Sequence, residues 1–267
     1  MKIAIYTQHF WPENFRINDI AFKLKNHKNS IEVFTGKPNY PLGKVKKKYK
    51  SFFPIVQKYK GIKITRFPII ERGSSSFSKL VLNYFSYIIN SSILSFFWAK
   101  KKDIYFVYGT TPIFQAIPAI IQAKFYKKPV VLWVQDLWPE NLIDTGYINN
   151  KLIIKIVKYF VKKIYDNCDL ILCQSDEFFK EINKITKTKT KVFYNPSNYN
   201  FSYKKKRKKK FYDIYYTGNL GFGQDFEKII NILKNDTIKK EKIRFIVYGS
   251  GKRSEYLKNK IKFYNLK

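Results

Sequence analysis

Two carboxylates, Asp136 and Glu140, lie in the phrase Val134-Gln135-Asp136-Leu137-Trp138-Pro139-Glu140-Asn141. The apolar run Val130 to Val134 precedes them, entered after Pro129. A short run of this kind reads as a strand buried on both faces of a parallel sheet. In open α/β sheets, residues just past the carboxyl end of such a strand line the ligand crevice. Gln135, Asp136, Trp138, Glu140 and Asn141 are therefore candidate site residues. Asp136 and Glu140 could work as acid and base or accept hydrogen bonds from ligand hydroxyls. The plainer reading of the two carboxylates is a helix cap and a surface charge. A similar phrase, His9-Phe10-Trp11-Pro12-Glu13-Asn14, follows the apolar run Ile3 to Tyr6. It brings Trp11, Glu13 and Asn14 to a second strand end.

A different chemistry is available near the end of the chain. Tyr216-Thr217-Gly218-Asn219-Leu220-Gly221-Phe222-Gly223-Gln224-Asp225 has a strand, a glycine-rich turn and a helix start. Glycines let backbone N–H groups approach a phosphate, and a helix N-terminus favours an anion. Neither the Walker pattern nor the dinucleotide fingerprint is present. A strand-to-helix turn without a ligand fits the glycines equally well. Tyr248-Gly249-Ser250-Gly251-Lys252-Arg253 is a second turn of the same kind, with Lys252 and Arg253 where they could meet a diphosphate; taken alone, it reads better as a surface turn with two solvated cations.

Composition narrows the classes. The chain has 267 residues, 45% of them hydrophobic, enough for a packed core. Its net charge of +33 points to an anionic partner. Yet only Arg16, Arg66, Arg72, Arg207, Arg244 and Arg253 are arginines; the other cations are lysines. Few arginines and no aromatic–basic recognition pattern argue against nucleic acid. Much of the charge is compositional background shared with abundant Asn, Ile, Phe and Tyr, and a part is attraction to an anionic membrane surface. Cys168 and Cys173 read as buried free thiols, which fits a reducing cytoplasm. With His9 and His27 the only histidines, no metal cluster stands out. The start, Met1 to Tyr6, lacks the pattern of a signal peptide. Val81 to Ala99 is uncharged and nearly long enough to span a bilayer, but its Asn90-Ser91-Ser92 centre favours an amphipathic or buried helix at a membrane surface.

Strands and helices alternate along the chain. Strands are expected at Ile3–Thr7, Ile31–Thr35, Ile62–Phe67, Asp103–Tyr108, Val130–Val134, Asp169–Cys173 and Lys191–Tyr194. Helices are expected between them, the one from Ile113 to Tyr126 bent at Pro118. Breaker-rich Gly36 to Gly43 holds Asn39 in a loop, followed by the basic stretch Lys44 to Lys50. The charge block Lys204 to Lys210 reads as the end of a solvated linker. The predicted organisation is α/β: an N-terminal Rossmann-like domain over 1–196, a basic linker over 197–210, and a shorter C-terminal domain over 211–267. Both domains are expected to carry doubly wound parallel sheets, the second incomplete because so short a chain buries little core.

Four phrases together resemble a known family. Ile5 to Asn18 with Trp11-Pro12-Glu13-Asn14, Phe34 to Pro41 with Lys44 and Tyr49, Val134 to Glu140, and Tyr216 to Gly221 occur in the family's order. The chain resembles a retaining glycosyltransferase of the GT-B fold, family 4, of the WbuB-like or colanic-acid type that builds bacterial surface polysaccharide. The resemblance implies a GT-B architecture with two Rossmann-like domains. The N-terminal domain would take a lipid-linked oligosaccharide or other glycan acceptor, and Trp11, Glu13, Asn14, Asn39, Gln135 and Trp138 fall on that side. The C-terminal domain would bind a nucleotide sugar, usually UDP-linked, through Gly218, Asn219, Gly221, Gly249, Gly251 and Lys252. Asp136 and Glu140 are the catalytic candidates. Enzymes of this type need no metal or other cofactor, so stabilising the diphosphate leaving group is the main task.

The chain departs from the family in three places. Gln135 stands where many members carry a histidine. Gln224-Asp225 replaces a usual Lys-Gly. The later acidic motif would lie beyond residue 267, so a truncated or split enzyme, completed by a second polypeptide, is expected. The alternative is a catalytically inactive basic module on an anionic membrane. In either case the expected location is the cytoplasm, peripheral on the inner face of the membrane.

Overall fold

The computed structural model describes residues 1–73, 77–144, 150–196, 212–221, 224–235, 243–251 and 253–264. The basic linker expected over 197–210 and the candidate Lys252 lie outside the described residues. The chain divides into two compact units, one drawn from residues 1–196 and one holding the described residues from 212 onward.

The first unit is built on an eight-stranded sheet. Its strands are β1 (Lys2–Tyr6), β2 (Ser30–Gly36), β3 (Ile55–Tyr59), β4 (Ile62–Phe67), β5 (Ile104–Gly109), β6 (Val130–Val134), β7 (Leu170–Cys173) and β8 (Thr190–Val192). Their order is β3-β4-β2-β1-β5-β6-β7-β8. Strand β3 alone is antiparallel, paired with β4. Chain direction across the sheet reverses between β1 and β5, which makes their carboxyl ends a topological switch point.

Helices cover both faces: α1 (Arg16–Asn26), α2 (Phe77–Trp98), α3 (Ile117–Tyr126), α4 (Glu140–Asp144), α5 (Lys151–Asp166) and α6 (Asp176–Ile185). One face buries Ile3, Ile5, Val33, Ile62 and Ile64 with Ile17 and Ala21 of α1. The other buries Ala4, Tyr6, Phe34, Val107, Leu132 and Val134 with residues of α2, α3, α5 and α6. The central strands are buried on both faces, which is why they read as unbroken apolar runs.

Two expectations change. Strand β3 was not anticipated: Ile-Val-Gln-Lys-Tyr is only half-buried and enters the sheet through a hairpin. Lys60 at φ 45° and Gly61 at φ 77° make its two-residue turn, the left-handed pair that strand twist favours. Pro118 does not bend a long helix. A 3-10 turn at Ile113–Ala116 leads into α3, and Pro118 sits in the first turn of α3, where its missing N–H costs no bond. The long helix expected after the turn Arg72 to Ser76 is found at Phe77–Trp98.

That helix, α2, is polar on its inner side. Asn83, Tyr87, Ser91 and Ser95, spaced by four, are the stripe against the sheet. Each finds a partner: Gln8 Nε2 donates to Asn83 Oδ1 (2.8 Å), and Tyr87 OH donates to the Phe34 carbonyl (3.2 Å). Ser91 Oγ donates to the Tyr87 carbonyl (2.6 Å), and Tyr6 OH donates to Ser95 Oγ (3.2 Å). Leu82, Phe85, Ile89, Ile93, Phe96 and Phe97 face outward and are exposed. The thiols of Cys168 and Cys173 are free and buried, and burial pushes them up to about 12 and about 11.

The second unit pairs two parallel strands, β9 (Tyr212–Asn219) and β10 (Ile243–Ser250). Helices α7 (Phe226–Leu233) and α8 (Ser254–Phe263) follow them. Leu220, Phe226, Ile230 and Leu257 form its small core.

Candidate functional site

In the first unit the candidate residues converge on the carboxyl ends of β1, β5, β6 and β7. Thr111, just past β5, is the hub of one cluster. Its backbone N–H and its hydroxyl both donate to Asp136 Oδ2, at 2.7 and 2.8 Å. Its hydroxyl also accepts from Trp138 Nε1 (3.3 Å) and Asn141 Nδ2 (3.0 Å). Asp136 therefore ties the β5 loop to the β6 loop. Trp138 is buried, packed edge-on to Phe114. Glu140 opens α4, half-buried, and its carboxylate accepts no hydrogen bond among the described residues.

Beside this cluster runs a row of amides. Gln115 Oε1 accepts from the Gln8 N–H (2.8 Å), and Gln115 Nε2 donates to the Thr110 carbonyl (2.6 Å). Gln174 Nε2 donates to the Gln135 carbonyl (2.7 Å). Asn195 Nδ2 donates to both Gln135 Oε1 (3.1 Å) and Gln174 Oε1 (2.6 Å). Gln135 Nε2 is buried without a partner among the described residues. Neutral amides of this kind both donate and accept, the pairing that hydroxyl-rich ligands need. Thr111, Gln115, Gln174 and Asn195 were missed in the sequence. The usable signal was that each lies within a few residues of a strand end.

The other phrase forms a separate cluster past β1 and β2. Glu13 is buried and its carboxylate is fully engaged. Oε1 accepts from the N–H groups of Asn39 (2.8 Å) and Tyr40 (2.6 Å), and Oε2 meets His9 Nδ1 at 3.1 Å. Asn18 locks the phrase in place, accepting from the Trp11 N–H (3.0 Å) and donating to the Glu13 carbonyl (2.7 Å). Trp11 stacks on Tyr59 of β3, centroids 3.7 Å apart. Asn39 is buried, with Oδ1 unpartnered, whereas Asn14 is exposed. The six acceptor-side candidates thus do not form one group: Trp11, Glu13 and Asn39 lie together, and Gln135 and Trp138 lie past β6.

In the second unit, β9 and β10 end at adjacent turns, so the donor-side candidates that are described come together. Their glycines are needed where the turns touch. A Cβ on Gly249 would stand 2.0 Å from the Gly218 carbonyl oxygen, and one on Gly251 would stand 2.3 Å from that of Leu220. Backbone bonds join the turns: Leu220 N–H to Ser250 (2.9 Å) and Arg253 N–H to Leu220 (3.0 Å). The N–H of Gly221 donates to Gln224 Oε1 (2.8 Å), and that of Gly251 donates to Ser254 Oγ (2.9 Å). Both donors would have to exchange these acceptors for a phosphate oxygen. Asn219 follows Gly218 at the end of β9. Arg253 is paired with Glu227, its Nη1 2.8 Å from Oε2, which pulls the Glu227 carboxyl down to about 2.

No group of three or more His, Cys, Asp or Glu residues is placed to hold a metal among the described residues. No family model matches the chain, and no curated protein sequence matches it. Solved structures do. The chain is similar to sucrose-phosphate synthase from Thermosynechococcus elongatus, with TM-score 0.63 and 12% identity over 99% of this chain and 68% of that one. It is similar to α,α-trehalose 6-phosphate synthase from Burkholderia multivorans, with TM-score 0.59 and 7% identity over 99% and 70%. It is also similar to Anabaena HepE, whose structure is a complex with UDP and glucose, with TM-score 0.55 and 12% identity over 99% and 67%. The fold is therefore GT-B.

Proposed function

We propose that the chain acts in glycosyl transfer, as a retaining family 4 glycosyltransferase of surface polysaccharide synthesis. It takes a nucleotide sugar, UDP-linked, and passes the sugar to a lipid-linked or other glycan acceptor without a metal. The observation that carries this reading is the pair of adjoining glycine turns after β9 and β10, in a chain aligned end to end with GT-B structures, one of them holding UDP. Gly218, Asn219, Gly221, Gly249, Gly251 and Lys252 are assigned to the diphosphate. Backbone donors at a helix start are suited to developing negative charge. Glu140, whose carboxylate is uncommitted among the described residues, is assigned the chemical role, and Asp136 the task of holding the loop that carries it. The amides Gln135, Gln174 and Asn195 are assigned to sugar hydroxyls. Titration of the full chain with UDP, followed by amide NMR, tests this: Gly221 and Gly251 N–H resonances should shift together. UDP binding with those resonances unmoved, or no UDP binding, would sink it.

A peripheral location on the cytoplasmic face of the membrane is part of the same proposal, and the outward apolar row of α2 supports it. The row is flanked by Lys79 and Lys100-Lys101-Lys102, cations suited to anionic headgroups. The wild-type chain should float with anionic vesicles and be released by salt. A Phe85→Glu/Ile93→Glu variant should stay in solution. Equal flotation of the variant would refute docking through this row.

A further inference from the structure

Among its described residues the first unit buries two cations, Lys37 and Arg66, and two carboxylates, Glu13 and Glu32, and neither carboxylate is hydrogen-bonded to either cation. Arg66 is the last residue but one of β4, opposite Thr35 of β2, and the Lys37 N–H donates to the Phe67 carbonyl at 3.2 Å. Ile62 and Ile64 pack on the α1 face, so the two-residue alternation of β4 puts Arg66 on that face as well. Arg66 is 0% exposed and Lys37 is 2% exposed. Only one of the guanidinium's nitrogens is used: Nη2 donates to the Trp11 carbonyl. Nε and Nη1 are buried with no partner among the described residues. Glu13 is the nearby carboxylate, and its oxygens are already spent on two backbone N–H groups and His9. Tyr49 lies over the guanidinium, 5.1 Å from its ring centre, and the Lys37 ammonium donates to the Ser51 carbonyl. Both covering residues belong to the loop that carries Lys44 to Lys50.

A buried guanidinium with open donors is expensive unless an anion meets it. Desolvation draws Arg66 down to about 10, so it stays charged near neutral pH. Arginine is also scarce here, six among 52 basic residues, and its guanidinium offers donors on several edges at once, which lysine cannot supply.

We propose that Arg66 and Lys37 form a phosphoryl-binding site at the carboxyl ends of β2 and β4, under the loop that carries Tyr49 and Ser51. Nη1 of Arg66 donates to one oxygen of a dianionic phosphoryl group, while Nε opens on the other edge of the guanidinium, beside Nη2. Lys37 exchanges the Ser51 carbonyl for a second oxygen, and the basic loop draws the anion in and closes over it. The site rests on the glycosyl-transfer reading only in that a phosphorylated acceptor is its natural occupant.

The test uses the full chain and inorganic pyrophosphate, followed by calorimetry, with UDP titrated separately. Wild type should bind pyrophosphate. Arg66→Met and Lys37→Met should each weaken it by about tenfold or more and leave UDP binding intact. Arg66→Lys should not restore it. If Arg66→Met fails to fold, Lys37→Met carries the test alone. Neutral vesicles bearing a polyprenyl diphosphate supply the second arm: displacement of pyrophosphate by the vesicles marks a lipid-borne ligand, and no displacement marks a soluble one. Pyrophosphate binding unchanged in folded variants, or absent from wild type, overturns the proposal. Loss of UDP binding alone would instead overturn the donor assignment and leave this site standing.

Discussion

The phrase Trp-Pro-Glu-Asn occurs twice, at 11–14 and at 138–141, each time past the end of a parallel strand and each time with a cis Trp–Pro bond. The two copies are used in opposite ways. In the first, Glu13 is buried and holds Asn39, Tyr40 and His9, while Trp11 lies half-exposed on Tyr59 and Asn14 faces solvent. In the second, Trp138 is buried, Asn141 donates to Thr111, and Glu140 is left uncommitted among the described residues. The first glutamate builds a loop and the second is available for chemistry. Neighbours decide the difference: the loop after β2 brings the N–H groups of Asn39 and Tyr40 to Glu13, whereas Glu140 opens α4.

Breaking each copy in turn should separate the two roles. Glu13→Ala strands one buried and one partly buried N–H group and removes the carboxylate whose charge acts on Arg66. Its cost should be about 3–5 kcal/mol in denaturant melts, whereas Glu140→Ala should cost less than about 1 kcal/mol. Equal costs would erase the distinction. Thr111→Val removes the hydroxyl shared by Asp136, Trp138 and Asn141 and should cost about 2 kcal/mol, with no matching hub to lose in the first copy. Trp138→Phe forfeits one indole bond and should cost about 1 kcal/mol beyond the lost ring area.

A third glutamate sharpens the contrast because it is ionised through a cation. Arg253 holds the Glu227 carboxyl near 2, below its ordinary value. A carboxyl lowered in the folded state stabilises above its unfolded pKa and loses that contribution as pH falls through the folded one. The second unit should therefore weaken between about pH 4.5 and about pH 2, as followed by circular dichroism. Glu227→Gln should flatten that segment of the profile. An unchanged profile would mean the Arg253 pair does not hold in solution.

The sheet was legible because its interior strands are buried on both faces and give largely apolar runs, with Glu32 of β2 an exception. Val130–Val134 was read at its observed bounds. The edge was less legible. β3 alternates Ile, Gln and Tyr with exposed neighbours, and only the Lys60-Gly61 turn betrays it. The glycine turns were legible as turns; their pairwise contact was not, since the two phrases are some thirty residues apart in sequence.

The sequence by itself determined the alternation of elements, the surplus of lysine and the strand ends where candidate residues fall. Local pattern suffices there, because burial period and turn chemistry act over a few residues. Tertiary structure alone decided which side of α2 faces the sheet. Its stripe Asn83, Tyr87, Ser91, Ser95 is inside because the sheet presents polar partners there, a match that no hydropathy pattern encodes. It also decided that Glu13 is spent, that Glu140 is uncommitted, and that Arg66 is buried with open donors. Each of those outcomes depends on partners brought from distant segments of the chain, and hydrogen bonds and charges take their worth from what stands opposite them.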